Sequence, residues 1–278
     1  MSKIPESKAL HVNNRGGVPF YSFPSLDELP GVVNAYSTRL GGVSSGVFES
    51  MNLGFSRGDE RALVEENFHR FCDAVGMPYN RIVISHQTHT KNVRCVTEED
   101  AGSGVLRERT YDDVDGLITN IPNLPLCTLY ADCVPLYFAD PVKRVVAISH
   151  AGWRGTVLQI GKETVEKMAS IYGCIPANIH AAVGPSIGKC CFEIDKPVYD
   201  EFSSLPFFDE KCGTPDGNGK YHVDLWEVNK RVLLLSGIRE ENISVTDVCT
   251  RCHPKELWSH RFTGPERGSA AGFIMLQK

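Results

Sequence analysis

Short apolar runs rich in β-branched residues recur along the whole chain and limit what it can fold into. They are GVVNAYS (31–37), RIVIS (81–85), KNVRCV (91–96), LCTLY (126–130), CVPLYF (133–138), RVVAIS (144–149), IHAAVG (179–184), ISVTDV (243–248) and AAGFIML (270–276). Each is of strand length and bounded by turn residues. Helical patterns lie between them. Residues 60–76 place Leu63, Phe68, Phe71 and Val75 on one face, and Gly76-Met77-Pro78 ends the segment. Residues 156–173 repeat apolar positions at helical spacing, with Thr156 as the expected N-cap and Gly173 as the C-cap. Residues 224–237 run from Asp224 to Gly237. Many strands with three helices predict a mixed α/β (α+β) domain with sheet at its centre.

With 278 residues, 42% hydrophobic and 23% charged, the chain can bury a sizeable core and is not of disordered composition. No linker or repeat divides it, so one domain over 1–278 is expected, with residues 1–30 as an N-terminal extension packing on it. The polar stretches 97–113 and 208–220 read as surface excursions. Net charge is −5 and no stretch clusters Lys and Arg, which argues against a nucleic-acid partner. No run reaches the roughly 18 apolar residues of a membrane span, and the polar start MSKIPESKALHVNN lacks a signal-peptide core. A soluble, cytoplasmic monomer or homodimer is expected. In that compartment the ten cysteines are expected as thiols, ligands or nucleophiles rather than disulfides.

Three apolar segments end in potential metal ligands. RIVISHQTH runs into His86 and His89, LCTLYADCVPLYF places Asp132 and Cys133 between two runs, and RVVAISHAGWRGT ends in His150. A His/Cys/His set suits Zn²⁺, and three ligands with one open position is the catalytic arrangement. The ligands would come from separate elements, unlike the close pairs of a zinc finger. Either His86 or His89 can serve. HAGWRGT joins a strand to a helix start through glycines, so backbone N–H groups and Arg154 can face an anion there. The alternative is a tight turn with a surface arginine. The Gly- and Ser-rich loop 37–54 offers Arg39 and Asn52 toward a ligand, or simply connects. GPSIGKCC (184–191) reads as a turn. CTRC (249–252) is a CxxC that would need a second close ligand pair to hold zinc, and His253 and His260 supply one only at unusual spacing.

STRLGGVS with MNLG, HQTH, DGLIT, ADCVPLYFADP, HAGWRGT, GPSIGKCCFEI, DLW and SHR together resemble the laccase-domain or polyphenol oxidase family, also known as YfiH/YlmD-like purine nucleoside phosphorylases. The resemblance spans roughly residues 30–276, nearly the whole chain. It implies a single mixed β-sheet sandwich flanked by helices, and a zinc site of His89, Cys133 and His150. It also implies phosphorolysis of adenosine, inosine and methylthioadenosine, with some adenosine deamination. Phosphate would then sit on Arg154 with Arg39 and Asn52. Asp132 would be a general acid or the partner orienting a ligand histidine. SHRFTGPERG departs from the family's pattern, so no role is carried over to His260 or Arg261. Two other chemistries are open. A copper (Cu²⁺) polyphenol oxidase of the multicopper kind needs many His-x-His pairs, and none of the nine histidines is so placed, though copper can bind the same three ligands. A metal-free hydrolase would use Cys133 as nucleophile and His150 as base.

Overall fold

The structure, a computed structural model, describes residues 4–278; residues 1–3 of the expected extension lie outside the described residues. Its strands are β1 (His11–Arg15), β2 (Val18–Ser22), β3 (Val32–Ser37), β4 (Val83–Ile84), β5 (Val93–Cys95), β6 (Gly116–Thr119), β7 (Leu126–Tyr130), β8 (Val134–Asp140), β9 (Val145–Ala151), β10 (His180–Val183), β11 (Glu193–Asp195), β12 (Gly213–Pro215), β13 (Lys220–Val223), β14 (Ile243–Val245) and β15 (Ala270–Leu276). The helices are α1 (Pro24–Asp27), α2 (Arg61–Val75), α3 (Trp153–Val157), α4 (Ile160–Tyr172), α5 (Lys196–Ser203), α6 (Leu225–Leu235) and α7 (His260–Thr263).

Two six-stranded sheets lie face to face. The first has the order β1-β2-β3-β15-β7-β4 and the second β14-β10-β8-β9-β6-β5. Neighbours are antiparallel except β4 with β7, β10 with β14 and β5 with β6. A small antiparallel sheet, β11-β13-β12, sits apart.

The unbroken apolar runs follow from burial on both faces. In β15, Ala270 and Ile274 join the core between the sheets, while Ala271, Phe273 and Met275 pack with Val64, Phe68 and Phe71 of α2. In the second sheet, Tyr137 and Ile148 face inward, and Leu136, Phe138 and Ala147 meet Ile160, Val165 and Met168 of α4 and Val228 and Leu233 of α6. The result is four layers, helix on sheet on sheet on helix. The sheets approach closely at Gly272, where a Cβ would lie 2.6 Å from the Tyr137 hydroxyl. That hydroxyl donates across the interface to the Ala35 carbonyl at 3.1 Å.

Two expectations change. Residues 11–22 do not merely pack on the domain: β1 and β2 extend the first sheet. The helix expected over 156–173 is split. Gln159 takes a left-handed φ of 57° between α3 and α4. Thr156 is therefore no N-cap; it is buried inside α3, and its hydroxyl accepts from Asn229 Nδ2 at 3.1 Å and donates to Ala151 O. Asp224 does cap α6, accepting from the Trp226 and Glu227 N–H groups, and Gly76 closes α2 with φ 80°. Among the described residues no helix is long and apolar enough to cross a membrane.

Candidate active site

The site forms where strand ends from both sheets meet. Cys133 lies between β7 of the first sheet and β8 of the second, just after Asp132, whose φ of 81° makes the turn. His150 is near the end of β9, paired with Pro135 of β8, and is buried. His89 follows β4 on an exposed loop and has φ 67°.

One carboxylate organises this loop and His150 together. Asp115, fully buried just ahead of β6, accepts the backbone N–H groups of Thr88 (3.0 Å), His89 (3.2 Å) and Thr90 (2.9 Å) and the Thr90 hydroxyl (3.1 Å). Its Oδ1 also lies 2.7 Å from His150 Nδ1, and its carbonyl accepts the His150 N–H. The His150 ring is thereby fixed with Nε2 toward Cys133 and His89. Burial pushes the Asp115 carboxyl up, but His150 and the N–H groups of Thr90 and Thr88 outweigh it and hold the group at about 2.

His89 Nε2 and Cys133 Sγ are 4.0 Å apart, and the rings of His89 and His150 cross at 80° with centroids 4.9 Å apart. One donor atom from each of His89, Cys133 and His150 lies within 4.8 Å of the others. Tetrahedral zinc ligands stand about 3.5 Å apart, so small side-chain rotations would bring the three donors to that spacing. The cradle is cut to this purpose at Gly152. A Cβ there would lie 2.7 Å from His89 Cδ2 and 3.3 Å from Cys133 Sγ. The donor chemistry, the oriented imidazole and the cleared space all fit a metal ion. Burial alone would raise the Cys133 thiol, but His150 and His89 override it and bring it down to about 6. Burial likewise works against the His150 imidazolium, but Cys133 and Asp115 outweigh it and raise the group to about 9. In metal-free protein the thiolate form is therefore present above about pH 6 and protonates below it. Iodoacetamide labelling of Cys133, followed by peptide mass mapping, is expected to fall off as pH drops through about 6, well under the 9.0 of an ordinary thiol. Labelling that keeps an ordinary midpoint would refute this ion pair, and added zinc should block it.

The three donors open onto a cleft of about 860 Å³, within the range of small-molecule sites. The stretch 104–109, expected to be a surface excursion, forms one wall. Phe55 and Tyr130 add aromatic surface. His86 lines the rim, 3.1 Å from Asp112, and stands outside the donor set. Five arginines line the cleft, Arg57, Arg61, Arg107, Arg109 and Arg267, and the sequence reading singled out none of them. Arg57 and buried Arg267 both line the cleft, and among the described residues neither forms an ion pair with a carboxylate. Burial first, and the like charge of Arg57 second, lower the Arg267 guanidinium to about 10, which leaves it cationic at neutral pH. Nothing in the local spacing of PERG marks Arg267.

Four expected site residues lie elsewhere. Arg39 gives its Nε to the Glu49 carbonyl and its Nη1 to the Pro254 carbonyl, and stacks on Trp258. Asn52 is buried, its oxygen accepting from Gly54 and Ser269 and its Nδ2 donating to Asp59. Arg154 lies over the Trp153 ring, on a helix of five residues. None of the three lines the cleft. Asp132 accepts the Thr250 hydroxyl and the Arg261 N–H, each at 2.6 Å. Its carboxylate fastens the C-terminal segment to the β7–β8 joint, and it is Asp115 that orients His150.

The model of the family described as multi-copper polyphenol oxidoreductase laccase matches residues 33–277. The chain belongs to this family. Within this laccase family, a purine nucleoside phosphorylase YlmD from Bacillus subtilis is 37% identical over 248 residues, 89% of each chain. An adenosine deaminase RL5 from an unknown prokaryotic organism is 32% identical over 239 residues, 85% of this chain and 91% of its own. The crystal structure of YlmD from Geobacillus stearothermophilus superposes with a TM-score of 0.90 at 33% identity, covering 97% of this chain and 99% of that one.

Proposed function

We propose that this protein is a purine nucleoside phosphorylase. It cleaves adenosine, inosine and methylthioadenosine with phosphate to the free base and the sugar 1-phosphate, and deaminates adenosine as a side activity. The observation that carries the reading is the juxtaposition of the His89/Cys133/His150 donor set with the neighbouring guanidinium groups of Arg57 and Arg267 in one cleft. Two like charges side by side favour an anion between them, and guanidinium forks match phosphate oxygens. The names of the relatives, phosphorylase and deaminase, agree with such a cleft.

In this mechanism Arg57 and Arg267 hold phosphate for attack of one oxygen on C1′ of the ribose, as the bond from C1′ to the purine nitrogen breaks. Phe55 and Tyr130 line the cleft in which the base and sugar would lie. His89, Cys133 and His150 would hold zinc, which when bound supplies Lewis-acid polarisation of a substrate group and an acidified water for deamination. Asp115 accepts the His150 Nδ1–H and so holds the ring with Nε2, the nitrogen that would bind the ion, turned toward Cys133 and His89. Cys133 is then a ligand and not a free nucleophile, which distinguishes this reading from a metal-free hydrolase. Copper can occupy the same donors. The remaining donor groupings among the described residues are a four-cysteine cluster and an exposed Glu193/Asp216/His222 set, neither of which resembles a multihistidine copper cluster.

The test is hypoxanthine release from inosine by protein purified without added metal. Turnover is expected only with phosphate present, and no turnover by zinc-loaded protein would overturn the proposal. Arg267→Met and Arg57→Met are each expected to raise the phosphate KM roughly 10- to 100-fold, the worth of a charged hydrogen bond. Arg39→Ala with Arg154→Ala should leave that KM near wild type. The reverse pattern would return phosphate to the α3 end of the molecule.

A further inference from the structure

We propose that Cys190, Cys191, Cys249 and Cys252 form a second, structural zinc site, separate from the cleft. One sulfur from each lies within 4.8 Å of the others. Cys252 Sγ stands 3.7 Å from Cys190 Sγ and 3.5 Å from Cys191 Sγ. Zinc–sulfur bonds of about 2.3 Å in a tetrahedron place sulfurs about 3.8 Å apart, so the thiols already stand near the edge length of such a cage. The same separations are far too long for a disulfide, whose sulfurs are about 2.05 Å apart, and all four cysteines are free.

The surroundings are those of a thiolate cage. The Gly188 N–H points at Cys249 Sγ (3.2 Å), and the Arg251 guanidinium points at Cys191 Sγ (3.5 Å). Such donors stabilise the negative charge that four thiolates carry around one dication. The two close ligand pairs that a structural site requires are present as Cys190-Cys191 and Cys249-x-x-Cys252. His253 and His260, which the sequence offered as a partner pair, are not in the cluster; His260 Nδ1 instead faces Arg267 Nε at 3.4 Å. Binding would displace the four thiol protons to solvent, with no change in oxidation state.

The site ties the turn after β10 to the segment after β14. Backbone contacts already join these two at Ser186 and Cys249, and the Thr250 N–H donates to the Ser186 carbonyl. Both segments also hold Asp132: the Ile187 N–H donates to its carbonyl and the Thr250 hydroxyl to its carboxylate. The cage therefore secures the turn from which Cys133 projects.

Metal counting tests this. Protein purified without chelator is expected to carry two zinc ions per chain. Cys252→Ser should carry one, and His89→Ala should also carry one. The His89→Ala variant leaves every cysteine in place and keeps the test valid if the serine variants fold poorly. Loaded with cobalt, it should show the sulfur-to-metal charge transfer and intense visible bands of a tetrahedral four-sulfur site. One zinc in wild type with none in His89→Ala would overturn the proposal. So would free alkylation of all four thiols in folded, zinc-loaded protein, or an intact mass two hydrogens lighter that reports a disulfide among them.

Discussion

Gly152→Ala is expected to lose the metal and about 100-fold or more of the phosphorolysis rate while the fold stays intact. The glycine is not required by its backbone, since φ is −62°. It is required by space: the added carbon would stand 2.7 Å from His89 Cδ2. His89 cannot easily retreat, because it sits at φ 67° and its loop is pinned through three consecutive N–H groups to buried Asp115. The ring would have to turn away from Cys133, and displacements of about 1 Å at a reacting centre cost on the order of 100-fold in rate. Zinc content, inosine turnover and Tm measured together decide it. A variant with full zinc and normal turnover would show that the cradle has slack.

Asp115→Asn is expected to weaken zinc binding by about 10- to 100-fold, the usual penalty for losing a carboxylate behind a ligand histidine. The amide matches the carboxylate in shape but turns an NH₂ toward donors that need an acceptor. In metal-free protein it should also cost about 3 kcal/mol, because His150 is left buried without its counter-charge. The pH dependence gives a separate check. The folded carboxyl is held at about 2, below its ordinary 3.8. Its stabilising contribution is thus fully present above about pH 4 and disappears as pH falls through about 2. The stability gap between wild type and Asp115→Asn should narrow over that window, and a gap that widened there would contradict the assignment.

Much of this architecture was readable because burial on both faces writes unbroken β-branched runs into a strand. The runs ending in Cys133 and His150 also showed where sites gather, at strand ends. β1 was hidden for the opposite reason: it is an edge strand whose residues are largely exposed, so HVNNR carries no apolar signal. The break between α3 and α4 was hidden because apolar spacing continues straight through Leu158, which is itself exposed. In the site, the clustered His and Cys donors were legible in the sequence, but the residues that support them were not. Asp115 stood in DGLIT and acts on a histidine 35 residues away. Arg57 and Arg267 gain meaning only when the loops that carry them fold against the same cleft. Arg39, Asn52 and Arg154 looked more eligible beside their glycines, yet the chain spends their polar atoms on its own carbonyls, amides and rings.

The three donors are drawn from both halves of the sandwich: His89 follows a strand of the first sheet, His150 ends a strand of the second, and Cys133 rides the crossover between them. An ion held there would rivet the two sheets at one rim. Sliding or parting of the layers would then have to break a coordination bond, so a bound ion would add to the resistance of the sheets to separation. Amide exchange in β8 and β9 should then slow on metal loading, although those strands lie mostly beneath the site and are already buried, and the apo protein should part first along the rim where Cys133 crosses.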